Sequence, residues 1–287
     1  MSAGGVLATA AKVTAAAVGV AAAGSCLMMV CLPAPIVKRV FFVRHGHAQH
    51  NDAFEKGVRS GLSFSDAALK SGEIRDPALT PKGEGQARSV ANDPVLQPAL
   101  KSGPERAEAV VVSPCRRTLE TAVIGLSGVA PALPFVAQPD CQECADLPSD
   151  TGRPVSALRN EFPMVDFSQI TNPDSWFKKV GPWDFATGSP KPEGQAALAA
   201  RCVRFTSWLL HRPEGCLIVV AHHTFLAFLL ELEFSNCEVM ELALHADGSW
   251  SVLSARDDVK PLKNKDGTPM TICGCKPLSG TAAKPLY

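Results

Sequence analysis

Six consecutive apolar residues, Cys216–Ala221 (CLIVVA), read as a strand buried on both faces, of the kind found inside a parallel sheet. Ile36–Val43 (IVKRVFFV), preceded by Pro35, is a second compact run of β-branched and aromatic residues, and Glu108–Val112 and Leu133–Gln138 are shorter strand candidates. Helix signals alternate with them. Thr80 is a natural N-cap, with Pro81 in the first turn and Glu84 near the capping-box position. Ser113-Pro114 repeats the cap-then-proline arrangement and predicts a helix running to about Leu126. Glu193–His211 carries apolar residues at Ala197, Ala200, Val203 and Leu210, and a further helix is expected over Thr224–Leu232. Val239–His245 and Trp250–Leu253, joined around Asp247-Gly248, predict a hairpin at a sheet edge. Residues 139–190, rich in Pro, Asp, Ser and Gly, predict a long excursion from the core, with Trp176, Phe177 and Trp183 packed beneath it. There is no internal repeat. The alternation predicts an α/β fold, a three-layer α/β/α sandwich with a mostly parallel central sheet. Ligands of such folds bind beyond the carboxyl ends of the strands.

The two ends of the chain differ from this body. Lys12 is the only charged residue after Met1 until Lys38, and the stretch is rich in Ala, Gly and Val. About 20 uncharged residues just suffice to cross a bilayer, although Ala and Gly drive insertion weakly. Residues 1–35 are therefore expected to be a signal peptide, a membrane anchor or an inert leader, with any membrane association made through residues 5–33. An anchor or signal places the protein at a membrane or in the secretory pathway, and an inert leader leaves it cytoplasmic. Residues 36–255 are expected to form the catalytic domain and 256–287, with many Lys, Pro and Gly, a loose tail.

Charge narrows the function classes. The chain has 28 basic and 28 acidic residues among 287, which leaves no general positive excess for gripping nucleic acid by its phosphates. The ten cysteines include the close pairs Cys141/Cys144 and Cys273/Cys275, but the one-residue spacer of the second is poor for zinc, so ordinary thiols are the simpler reading. His45, His47 and His50, at i, i+2 and i+5 in a loop, are likewise poor metal-ligand geometry. His50 reads instead as lining the substrate entrance.

Three predicted strands end in chemically notable residues: Arg44-His45-Gly46, Ser113-Pro-Cys-Arg-Arg117, and His222. All three emerge on one sheet edge, so two histidines and two or three arginines are expected to share a pocket. Cations crowded together repel unless an anion fills the space between them. A phosphoryl group suits it, since Arg offers paired donors and neutral imidazole is a competent nucleophile.

These residues carry a resemblance. Val43-Arg44-His45-Gly46 with Asn51, Leu79-Thr80-x-x-Gly83-x-x-Gln86-Ala87, Ser113-Pro114-x-x-Arg117-Thr118-x-x-Thr121-Ala122, and Val219-Val220-Ala221-His222 resemble, in order, the blocks of the histidine phosphatase superfamily. The branch is the phosphoglycerate mutase-like one. The resemblance implies that His45 is the nucleophile and that Arg44, Arg117, His222 and Asn51 hold the phosphoryl oxygens. Cys141-Gln142-Glu143-Cys144 and Pro148-Ser-Asp-Thr-Gly152 resemble a stretch of eukaryotic phosphatase-like members, which implies Glu143 as general acid, with Asp146 the alternative. A carboxyl kept protonated by desolvation can supply the leaving oxygen's proton.

His223 stands where the family commonly has Gly or Ser, but the register at the strand end favours His222 as the inward residue, and the block spacing favours Arg117 over Arg116. Arg59 and Arg75 fall in the segment between the first strand and Thr80, where cations could grip a substrate or simply face solvent. The expected activity is hydrolysis of a phosphate monoester of a small molecule, with no metal and no cofactor. Mutase-type phosphoryl transfer and a non-catalytic membrane-tethered binding protein are the alternatives.

Overall fold

In a computed structural model, residues 34–145, 147–178, 183–184, 189–190, 192–255 and 261 are described. The expected leader and most of the expected tail lie outside them. Among the described residues, no helix is long and apolar enough to cross a membrane.

In chain order the elements are β1 (Ile36–Arg44), α1 (Gln49–Arg59), α2 (Phe64–Gly72), α3 (Pro81–Val90), α4 (Gln97–Leu100), β2 (Ala109–Val112), α5 (Arg116–Leu126), β3 (Phe135–Ala137), α6 (Val155–Glu161), β4 (Val165–Asp166), β5 (Trp183–Asp184), β6 (Ser189–Pro190), α7 (Pro192–His211), β7 (Cys216–Ala221), α8 (His223–Leu230), β8 (Val239–His245) and β9 (Trp250–Ala255). Seven strands form one sheet in the order β4-β3-β2-β7-β1-β8-β9, and β5 and β6 pair separately. The run from β4 to β1 is parallel, and β8 and β9 close one edge antiparallel. The expected α/β architecture with a mostly parallel sheet is the one observed.

The three layers follow from the strands' two-residue side-chain period. Phe41, Val43, Val110, Val112, Ile218 and Val220 point to one face and pack with Val90, Leu119, Leu126 and Leu158 of α3, α5 and α6. Val40, Phe42, Val111, Leu217 and Val219 point to the other and meet Leu198, Phe205, Leu209, Phe225 and Phe228 of α7 and α8. With both faces covered, the central strands need the unbroken apolar runs seen in the sequence. The β8–β9 hairpin turns at Gly248, whose φ of +83° is open to glycine at no steric cost.

Several expectations are corrected. The helix after β2 starts at Arg116 with Cys115 as N-cap, not at Ser113-Pro114, because the Ser113 hydroxyl is bonded to His222 and is not free to cap. The buried stripe of α7 is Leu198, Cys202, Phe205 and Leu209, and Val203 is 58% exposed. Residues 139–190 are not wholly an excursion, since α6 and the edge strand β4 lie within them. The segment carrying Arg59 and Arg75 is mostly two helices, α1 and α2, which pack against each other.

Candidate active site

Parallel pairing brings the chemistry to one edge. Arg44 is in register with Ala221, and Val112 with Val220, so His45, Ser113 and His222 all begin where the ladder ends. The ladder's last hydrogen bonds, His45 N to Ala221 O at 3.0 Å and Ser113 N to Val220 O at 3.1 Å, fix these residues side by side. The His45 and His222 rings lie 5.3 Å apart, and that of His50, from the first turn of α1, lies 5.7 Å from His45.

The loop after β1 is braced by the other blocks. Gly46 N donates to Thr121 Oγ1 at 3.0 Å and His47 N to Gln86 Oε1 at 2.8 Å, while Asn236 Nδ2 holds the His45 carbonyl at 2.9 Å. Thr80 caps α3 through Gly83 N and also donates to the His47 carbonyl. A Cβ on Gly83 would stand 1.9 Å from that carbonyl oxygen, and one on Gly46 would stand 2.8 Å from the Gly83 carbonyl. Two backbones meet there with no room for a side chain, the physical reason for glycine in both blocks.

His45 is 2% exposed, and its Nδ1 donates to the Gly46 carbonyl at 2.7 Å. That bond fixes the tautomer and leaves Nε2 as the ring's lone-pair nitrogen. Burial, then Arg117 and Arg44, push the His45 pKa well below its ordinary value, so the ring is neutral.

The two arginines are anchored by one end each. Arg44 Nη1 donates to Phe234 O at 2.8 Å, and Arg117 donates to Ser149 O at 2.6 Å and to Asp150 at 2.8 Å. Burial lowers Arg44 to about 10, opposed by Glu143, and the side chain stays charged at neutral pH. Burial is the largest influence on Arg117 and works against its charge, but Asp150, Cys115, Glu143 and Asp76 together outweigh it and hold the pKa above the ordinary value. Among the described residues, Arg44 Nε and Arg117 Nε are both buried without a partner.

His222 is fully buried, with Nε2 2.8 Å from Ser113 Oγ, while His223 turns aside to the Phe234 carbonyl at 3.2 Å. Glu143 reaches the N-terminus of α8: Oε2 accepts from Thr224 N at 3.2 Å, and Oε1 from Phe225 N at 3.1 Å and Cys144 N at 3.0 Å. Glu143 is within electrostatic reach of both Arg44 and Arg117 and raises the pKa of each. Asn51 uses its amide oxygen to cap α1 at Ala48 N, 2.9 Å away. Asp146 lies outside the described residues.

The remaining candidates sit apart. Arg116 pairs with Glu120 and Glu161, and Arg59 with Glu55. Arg75 lies over the Phe177 ring, and Trp176 packs on Gly152. His47 spends both ring nitrogens on Thr80 and Glu55. Cys141 and Cys144 are buried thiols.

Sequence reasoning missed two supports. The loop from Phe234 to Cys237 straps Arg44 and His45, bonding through two backbone groups and Asn236. Arg201 of α7, 8% exposed, donates to the Asp140 carbonyl at 3.1 Å, to the Gln142 carbonyl and to the Glu143 carbonyl at 3.5 Å, and lies over the Phe225 ring. A buried arginine on an otherwise apolar helix face was the available signal.

The histidines make stability depend on pH. Burial is the first cause of lowered pKa values at His45, His50 and His223. The unfolded chain takes up protons near pH 6.5 where the folded chain does not, so stability is full above that pH and declines as pH falls below it. Each group contributes up to about 1.4 kcal/mol per pH unit. Thermal melts from pH 7.5 down to 5.5 should show a falling midpoint, with a shallower fall in His45→Gln. An equal slope in that variant would remove His45 from the account.

The profile of the histidine phosphatase superfamily (branch 1) matches residues 40–265. An Arabidopsis thaliana phosphoglycerate mutase-like protein is 28% identical over 272 residues, covering 80% of this chain and 93% of the relative. A Schizosaccharomyces pombe protein named as a probable phosphatase is 25% identical over 236 residues, covering 75% and 95%. Among solved structures, the alpha-ribazole phosphatase of Shigella flexneri is similar at a TM-score of 0.46 and 18% identity, over 79% of this chain and all of that one.

Proposed function

The chain belongs to the histidine phosphatase superfamily, and from that membership we propose that it hydrolyses a phosphate monoester of a small molecule through a phosphohistidine at His45. One observation carries the reading. A neutral imidazole, its Nδ1 tied to Gly46, stands beside two guanidiniums that, among the described residues, each keep a buried Nε without a partner. Unpartnered buried donors are costly, and phosphoryl oxygens satisfy them.

In the first step His45 Nε2 attacks phosphorus as the ester P–O bond breaks. Arg44 and Arg117 take the charge that builds on the phosphoryl oxygens, with His222 beside them. Glu143 gives its carboxyl proton to the leaving oxygen. In the second step water attacks phosphohistidine, Glu143 takes the water's proton back, the P–N bond breaks and phosphate leaves. Asn51 contributes by holding the start of α1, and any contact with the phosphoryl group falls to its amide nitrogen.

Because guanidiniums supply the neutralising charge, hydrolysis of p-nitrophenyl phosphate is expected to persist in EDTA. Brief exposure to labelled substrate, quenched in alkali, should leave base-stable, acid-labile label on the protein. Label on serine or cysteine, or a strict divalent-metal requirement, would sink the reading.

A further inference from the structure

His47 and His50 both come from the loop-to-helix segment after the nucleophile, yet they are built differently. His47 has a partner at each ring nitrogen, Thr80 Oγ1 at 2.8 Å and Glu55 Oε1 at 3.1 Å, and so serves as a brace. Nδ1 of His50 is buried and, among the described residues, has no hydrogen-bond partner. The His50 ring is 5.7 Å from the His45 ring, close to the 5.3 Å that separates His45 from His222. The rings of His50 and His222 thus neighbour the nucleophile's ring at similar spacing. Arg117 and Arg44, with His47, act electrostatically on His50. A buried, unpartnered nitrogen on a ring beside the nucleophile's, within electrostatic reach of both guanidiniums, points to the phosphoryl group rather than to the leaving alcohol.

Resting on the phosphatase reading above, we infer that His50 is a further phosphoryl-binding residue, its Nδ1–H donating to an oxygen of the group that His45 attacks. Burial and the two arginines keep the ring neutral, so it adds a donor without adding a third positive charge. The unpartnered Nδ1 is then explained as are Arg44 Nε and Arg117 Nε: the three atoms wait for one anion. His50 also stands at the start of α1, whose amide dipoles favour negative charge at that end.

The test is competitive inhibition of the full chain by inorganic phosphate and by vanadate, compared across wild type, His50→Gln and His50→Leu, with thermal melts alongside. Gln keeps an N–H donor of similar reach, and Leu keeps much of the volume without one. A hydrogen bond to a charged group supports a loss of about 10- to 100-fold. Phosphate and vanadate should bind His50→Leu more weakly by that factor, with His50→Gln in between. KM for p-nitrophenyl phosphate should rise alongside, and melting points should stay close. Equal inhibition of all three proteins overturns the inference, as does a KM that rises while the phosphate constant stays fixed, which would put His50 on the leaving alcohol. If Leu melts early, His50→Phe, which keeps a ring in place but offers no donor, takes its place, and inhibition and KM equal to wild type in that variant overturn the assignment. A wild-type enzyme that neither anion inhibits, and that takes no label at His45, would bring down the phosphatase reading itself.

Discussion

His45→Ala is expected to abolish hydrolysis of alkyl phosphates and of p-nitrophenyl phosphate alike, by about 10⁴-fold or more. Loss of a nucleophile removes the step through which every substrate passes, so leaving-group quality offers no escape. Binding should fare differently. Arg44 and Arg117 are held by Phe234, Ser149 and Asp150, none of which depends on the His45 ring. Vanadate and phosphate should therefore still bind the variant, and the split between lost turnover and retained anion binding is the signature. The carbonyl of residue 45 keeps its bond from Asn236, which is a backbone contact that alanine preserves. Turnover remaining within about tenfold of wild type would assign the chemistry elsewhere.

How legible each feature was in the sequence depended on what kind of interaction set it. The central strands were legible because burial on both faces forces unbroken apolar runs, and the sheet edge then followed from where those runs stop. Arg44 ends β1, His45 and His222 stand one residue beyond β1 and β7, and Arg117 follows the end of β2 in the first turn of α5. Local rules were weaker guides. Thr80 caps α3 as a threonine before proline should, but Ser113 in the same local arrangement gives its hydroxyl to a histidine 109 residues away. α1 and α2 escaped notice because both are polar helices whose few apolar groups include the exposed Val58, Phe64 and Leu69. The buried face of α7 runs through Leu198, Cys202, Phe205 and Leu209 rather than Ala197, Ala200, Val203 and Leu210, because alanines on several sides blur a helical stripe. The strap from Phe234 to Cys237 acts mainly through backbone groups, which leave no mark on composition.

The role of Glu143 is expected to appear as an asymmetry between substrates. Removing a general acid should slow an alkyl phosphate by about 10²–10⁴-fold, and p-nitrophenyl phosphate far less, since its phenolate leaves without a proton. Glu143→Gln makes the comparison, but the structure adds a complication. Three N–H groups, from Cys144, Thr224 and Phe225, point at the two carboxylate oxygens, and an amide can offer them only one oxygen. The amide's own N–H would face a donor, so the side chain should turn or the loop should shift. Arg201, gripping the carbonyls of Asp140, Gln142 and Glu143 from α7, limits that shift to the side chain. Any loss from displaced geometry falls on both substrates alike, because it touches the arginines and the nucleophile before the leaving group matters. Loss of the proton falls mainly on the alkyl ester. The ratio of the two rate losses therefore isolates the acid from its structural side effects, which neither rate does alone. A ratio near one would make Glu143 a holder of the α8 N-terminus rather than a proton donor. If Asp146→Asn produced the asymmetry instead, the acid would lie three residues further along the same loop.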